Sequence, residues 1–261
     1  MKSKMDKDLK KVLTSVVFNN LRILHGVTKA DTYCDNYRWH LDRCGGPKEF
    51  WDIHALAFFW GATHHPMRII EIGARTGLSL AALLSAYIDF KGLRVVVFDL
   101  FDDGLSCPDL VKKHLAHLAI PSNFIEFRTG DSRMTVPEFK KSNQDKFDWI
   151  LIDGGHSPEI MAVDLENVCD LVAKDGLLVV DDLSATMESN GFCLKPTWEK
   201  FKERHAKEFA FHEDLAAKGT GWGQCLVDHV SANPPETIQG NFEGDWPEAP
   251  PQVGKLHPTT W

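Results

Sequence analysis

The chain lacks an apolar run long enough to span a bilayer, any cluster of Lys or Arg, any CxxC pair, any G-x-G-x-x-G loop and any internal repeat. Each absence excludes something. Without a focused positive field, nucleic acid and membrane surfaces are not expected as partners, and the net charge of -8 points the same way. The six cysteines (Cys34, Cys44, Cys107, Cys169, Cys193, Cys225) are scattered, which fits a reducing compartment better than a disulfide framework. The missing dinucleotide spacing disfavours a nicotinamide or flavin cofactor. What remains is a cytoplasmic protein acting on a small molecule.

The 261 residues divide by composition into three parts. Residues 1–60 form an N-terminal helical segment, 61–230 the main domain, and 231–261 a Pro-rich extended tail. The start, "MKSKMDKDLKKVLTSVVFNNLRIL", is basic and then apolar. Its apolar run is short, is followed by Asn19, Asn20 and Arg22, and has no small-residue cleavage site, so a signal peptide is not expected. Leu9, Val12, Leu13, Val16, Leu21 and Leu24 recur near helical spacing, as in an amphipathic helix that packs on the core or on a second subunit. His25, Cys34, His40 and Cys44 gather zinc-type donors, but their spacing matches no common zinc module. Tyr33, Tyr37, Trp39, Trp51 and Trp60 can either cover an acceptor as a lid or pack on the sheet edge. The tail and the first helix are the expected surfaces for a homo-oligomer.

From Met67 onward, short apolar runs alternate with helical patterns. The expected strands are "MRIIEIG", "LRVVVFD", "NFIEFR", "FDWILID" and "GLLVVDD", followed by a helix around "KPTWEKFKERHAKE" and a hairpin made of "FAFHEDL" and "WGQCLVDHV". Met161, Leu165, Val168 and Val172 mark one face of a crossover helix, and Asp175-Gly176 the turn after it. Continuously apolar strands separated by helices predict an α/β, doubly wound, Rossmann-like, mostly parallel seven-stranded sheet with a C-terminal antiparallel hairpin.

Ligands in such sheets collect beyond the carboxyl ends of the strands. There "EIGARTGLS" places Glu71, Gly73, Arg75, Gly77 and Ser79, a glycine loop opening onto a helix N-terminus. Asp99 closes the second strand, where a carboxylate can accept from a ribose diol, and Asp131 and Ser132 follow the third, within reach of an adenine edge. Asp153 ends the fourth strand, and Asp181 and Asp182 end the fifth. Carboxylates converging from adjacent strands repel unless one takes a proton or a cation sits between them, and oxygen donors favour Mg²⁺ or another hard divalent ion. His156, three residues after Asp153, is placed as a base near neutrality.

These residues resemble the class I S-adenosylmethionine-dependent methyltransferases over roughly Arg68 to Val230. The resemblance implies that Glu71 supports the loop around the methionine moiety, Asp99 holds the ribose hydroxyls and Asp131 reaches the adenine amino group. Many members carry a third glycine where this chain has Arg75, which is placed either to reach the methionine carboxylate or as a surface residue. "IDGGHS…DLENVCDLVAKDGLLVVDDL" is similar to the metal-dependent O-methyltransferase branch that decorates natural-product sugars. That likeness implies Asp153, Asp181 and Asp182 as Mg²⁺ ligands and His156 as the base, for transfer to a small-molecule hydroxyl. Relatives often have Tyr where this chain has Pro158. The competing readings are a metal-independent N- or C-methyltransferase and a non-catalytic S-adenosylmethionine-binding scaffold.

Overall fold

A computed structural model describes residues 52–85, 90–102, 107–183, 193–214 and 219–229. The expected N-terminal amphipathic helix, the His/Cys quartet, four of the five aromatics and the Pro-rich tail lie outside them. In chain order the elements are α1 (Asp52–His64), β1 (Arg68–Ile72), α2 (Leu78–Leu84), β2 (Arg94–Asp99), α3 (Pro108–His117), β3 (Ile125–Thr129) and α4 (Ser132–Ser142). They continue with β4 (Phe147–Ile152), α5 (Pro158–Val168), β5 (Val172–Val180), α6 (Lys195–His205), β6 (Phe209–Asp214) and β7 (Thr220–Cys225).

The strands form one seven-stranded sheet in the order β3-β2-β1-β4-β5-β7-β6. β1 to β5 are parallel, and β7 runs antiparallel between β5 and β6. Period-two alternation explains why the strands are apolar throughout. Ile69, Val95, Val97, Trp149, Leu151, Leu177 and Val179 face a core shared with α1, α2 and α3. Their neighbours Ile70, Val96, Phe98, Ile150, Ile152, Leu178 and Val180 face a second core with α4, α5 and α6. Burying an aliphatic side chain stabilises by about 1.5–3 kcal/mol, so either face alone would leave half the apolar surface in water.

Two boundaries differ from expectation. β5 begins at Val172, which therefore belongs to the sheet and not to the face of α5. Asp175 does adopt a left-handed conformation (φ 64°), yet the chain re-enters the same strand: Phe147 pairs with Val172, and the next pair is Trp149 with Leu177. The Asp-Gly pair thus marks an irregularity within a strand, not a turn before one. The boundary expected at residue 60/61 falls inside α1, whose Trp60 stacks on His64 (centroids 3.6 Å apart) and packs against the first core. Among the described residues, no helix is long and apolar enough to cross a membrane.

Candidate active site

Register places the site. Ile72, Ile152 and Val180 lie side by side on β1, β4 and β5, so the residues that follow them emerge together at the carboxyl edge. The pairing continues one step past the strands, with Asp153 N–H donating to Ile72 O (2.8 Å) and Asp181 N–H to Ile152 O (3.2 Å). A crevice of about 430 Å³ opens there, lined by Gly73, Arg75, Asp99, Asp131, Ser132, Asp153 and His156 among others.

Gly73 holds φ 84°, and a Cβ at that position would lie 2.2 Å from Asp153 O and 2.4 Å from Gly154 Cα. Only glycine permits so close an approach of the loop to the end of β4. The loop is then tied to β2, because Asp99 accepts from Arg75 N–H and Phe101 N–H, each at 2.8 Å. Each carboxylate oxygen keeps acceptor capacity toward the crevice, which a ribose diol can use. The Arg75 side chain is exposed on the crevice wall. Gly77 caps α2.

Glu71 and Ser79 do not line the crevice. Both are buried behind it, and Ser79 Oγ donates to Glu71 Oε1. Burial pushes the Glu71 pKa up to about 8; the Ser79 hydrogen bond opposes this, and the charges of Asp153 and Asp99 add to it. Glu71 is therefore protonated over much of the neutral range unless a cation draws near.

At the adenine side, Asp131 caps α4 by accepting from Arg133 N–H (2.9 Å), and it also pairs with the Arg133 guanidinium (Nη2–Oδ2 2.6 Å). The Arg133 side-chain bond holds the Asp131 carboxyl below its ordinary pKa. Arg133 was not among the residues the sequence singled out. Nor was Asp164, which is fully buried on α5, with a pKa raised to about 7 by burial; Ser132 opposes that rise and Asp131 adds to it. The available signal was position: Asp164 stands three residues after Met161, inside the apolar stripe of its helix.

His156 completes the site. Its Nε2 lies 3.6 Å from Asp153 Oδ1 and 3.4 Å from Asp182 Oδ2, and one donor atom from each of the three residues falls within 4.8 Å of the others. Asp182 is buried in a left-handed conformation (φ 61°). Asp181, expected beside it, is directed elsewhere and accepts from Thr220 Oγ1 at 2.8 Å. Burial, and then repulsion from Asp153 and Asp182, raises its pKa to about 8. The convergent set is thus two carboxylates and an imidazole, not three carboxylates. That set suits a divalent ion either with His156 as a ligand or with His156 beside a carboxylate-bound ion. Pro158 starts α5, and Ser157 Oγ accepts from Ile160 N–H as its cap.

The Rossmann-like fold, with its crevice at the carboxyl edge of the parallel strands, is the one found in solved methyltransferase structures. Residues 70–183 match the family described as Methyltransferase domain. No curated protein matches the chain in sequence. Among solved structures it resembles the O-methyltransferase TomG from Streptomyces achromogenes in complex with SAM, at 17% identity and TM-score 0.52, over 67% of this chain and 78% of that one. It also resembles the SAH-bound Podospora anserina methyltransferase PaMTH1, at 15% identity and TM-score 0.53, over 84% and 96%. The O-methyltransferase from Bacillus cereus in complex with SAH gives 15% and 0.51, over 80% and 97%.

Proposed function

We propose that this protein transfers a methyl group from S-adenosylmethionine to a hydroxyl of a small molecule, with His156 as the base and a divalent cation, Mg²⁺ first, held by Asp153 and Asp182. The observation that carries this reading is the position of His156 Nε2, between two carboxylates at the wall of a nucleoside-sized crevice. The likeness to solved O-methyltransferases supports it.

When bound, S-adenosylmethionine supplies an already activated methyl group, and a divalent ion lowers the pKa of a coordinated hydroxyl. The chain's own part is alignment and proton removal. The Gly73 loop gives the methionine moiety backbone access, and Asp99 and Asp131 fix ribose and adenine. Glu71, buried beneath the loop, gains a reason to ionise when a positively charged ligand sits above it. His156 takes the acceptor's hydroxyl proton on Nε2, and Asp153 and Asp182 stabilise the imidazolium that results. Acceptors with vicinal hydroxyls would suit the site best, since a chelating pair would hold the reacting hydroxyl on the cation that lowers its pKa.

The test combines calorimetry with S-adenosylmethionine and methyl transfer to a panel of catechols and vicinal diols. Binding is expected, with transfer abolished by chelator and restored by Mg²⁺. His156→Ala is expected to cut kcat by roughly 10²–10⁴-fold while leaving cofactor affinity intact. Transfer indifferent to chelator would overturn the cation and leave a second reading, in which Asp153 and Asp182 orient His156 alone; their 3.4–3.6 Å spacing to Nε2 favours that reading over an N- or C-methyltransferase. Absence of cofactor binding would leave only a scaffold.

A further inference from the structure

At the opposite end of the sheet, the last turn of α5 meets the last turn of α6. There Glu166, Cys169 and His205 each present one donor atom, all within 4.8 Å of one another. The spacing reads Glu-x-x-Cys on one helix end and His-x-x-Glu on the other, the last being Glu208. His205 Nε2 lies 3.3 Å from Glu166 Oε2, and Nδ1 lies 3.2 Å from Glu208 Oε2. Arg204 pairs with the other oxygen of Glu166 at 2.5 Å. The side chains of Glu166 and His205 are only 12% and 14% exposed, and Cys169 is buried.

We propose that Glu166, Cys169 and His205 form a second divalent-metal site, suited to a borderline ion such as Zn²⁺, that clamps the end of α5 to the end of α6. Three observations converge on it. A mixed sulfur, nitrogen and oxygen set selects Zn²⁺-like ions over Mg²⁺ or Ca²⁺. The 3.3 Å separation of Nε2 and Oε2 is the edge of a tetrahedron with metal–ligand bonds of about 2.0 Å. The outer partners are also in place: a ligating histidine ordinarily donates its other ring N–H to a carboxylate, here Glu208, and the ligating carboxylate is ion-paired with Arg204.

An ion pair between His205 and the two glutamates would account for the imidazole, while the Cys169 S–H donates to the Glu166 carbonyl at 3.4 Å. Binding forms the metal–sulfur and metal–nitrogen bonds as the S–H and Nε2–H bonds break, and both protons pass to solvent. Three protein ligands leave one position for water. The site lies the length of β5 from the crevice, so it braces the fold and does not take part in methyl transfer.

The experiment is an anaerobic titration of the metal-stripped full chain with Co²⁺, which reports thiolate ligation through a near-ultraviolet charge-transfer band. Wild type is expected to show that band with intense four-coordinate visible bands, and equimolar Zn²⁺ to bleach both. Cys169→Ser and His205→Gln are expected to lose them, whereas the Asp153→Asn/Asp182→Asn double variant keeps them, so failure of the crevice reading leaves this one standing. Zn²⁺ should raise the Tm of wild type by several degrees and leave that of His205→Gln unmoved. This second readout decides the matter if Cys169→Ser does not fold. A wild type without a thiolate band, or a band that survives Cys169→Ser, overturns the proposal.

Discussion

At the amino end of the strands, Asp170 meets Lys140 at 2.7 Å, Arg94 is shared by Asp145 and Glu126, and Asp148 accepts the backbone N–H groups of Met67 and Arg68 at 2.9 Å each. At the carboxyl end, Glu71 and Asp181 are raised first by burial, and then by neighbouring acids, Asp153 and Asp99 for the one and Asp153 and Asp182 for the other. Acids of the first kind have their charge balanced locally and hold elements together. Those of the second kind repel one another within a buried edge, which costs stability until something positive arrives. Crowding of this sort marks a functional site, because a fold selected for stability alone would not keep it.

The comparison is broken most severely by changing a glycine at each end. Gly73 (φ 84°) and Gly92 (φ 86°) share a left-handed backbone, but a Cβ at Gly92 meets nothing within 4 Å, whereas at Gly73 it would strike Asp153 O and Gly154 Cα. Gly92→Ala is expected to cost about 1 kcal/mol and to leave cofactor binding alone. Gly73→Ala is expected to cost on the order of 3–5 kcal/mol and to abolish S-adenosylmethionine binding. Thermal unfolding and calorimetry on both variants check this. Equal costs would mean that the crevice loop is not held by contact with β4.

Next in size is Asp182→Asn. Asparagine tolerates the left-handed conformation at that position, and losing one charge relieves Asp181. The variant is expected to gain on the order of 1 kcal/mol without ligand, about 2–4 °C in Tm, while methyl transfer falls to background. A stabilised variant with full activity would remove Asp182 from the site.

An effect on stability alone concerns pH. The folded pKa of Asp164 is raised to about 7 from an ordinary 3.8, so its folded form holds a proton that the unfolded chain has already lost. Its stabilising contribution is complete below the ordinary value and is lost as pH rises through 7. Glu71 and Asp181, raised to about 8, act in the same direction over a slightly higher range. Asp164→Asn is expected to remove a decline on the order of a few kcal/mol between pH 4 and 7, measured as urea-unfolding free energy. An unchanged pH slope would place that carboxyl's titration elsewhere.

Much of this arrangement was legible in the sequence, for reasons particular residues make plain. Runs such as "RVVVFD" are apolar on both faces because both faces are covered, and the strand ends fall in register, so the acids closing them were bound to meet. Which member of Asp181-Asp182 turns toward His156 was not legible. Successive side chains on a strand point to opposite sides, and the choice here rests on the positive φ of Asp182, a tertiary outcome. The pairing of Arg133 with Asp131 depends on the cap that closes α4, and Val172 was read as helical because its apolar spacing from Val168 suits either element.

The smallest expected effect comes from the amino end and sharpens the contrast with Asp182. Asp170 accepts from Lys140 Nζ, which also donates to Asn167 O at 2.9 Å, and the two side chains are 29% and 18% exposed. Asp170→Asn removes the charge but keeps an acceptor oxygen and the shape, so the hydrogen bond survives in neutral form and only the Coulombic part is lost. Partial exposure screens that part to roughly 0.5–1 kcal/mol, less at high salt. The variant should therefore be slightly less stable than wild type in dilute buffer, approach it in molar salt, and retain full methyl transfer. Asp182→Asn is expected to move stability the opposite way and to lose activity, and that reversal of sign in stability between two isosteric changes at the two ends of one sheet is the measurement that separates an acid kept for the fold from an acid kept for a ligand.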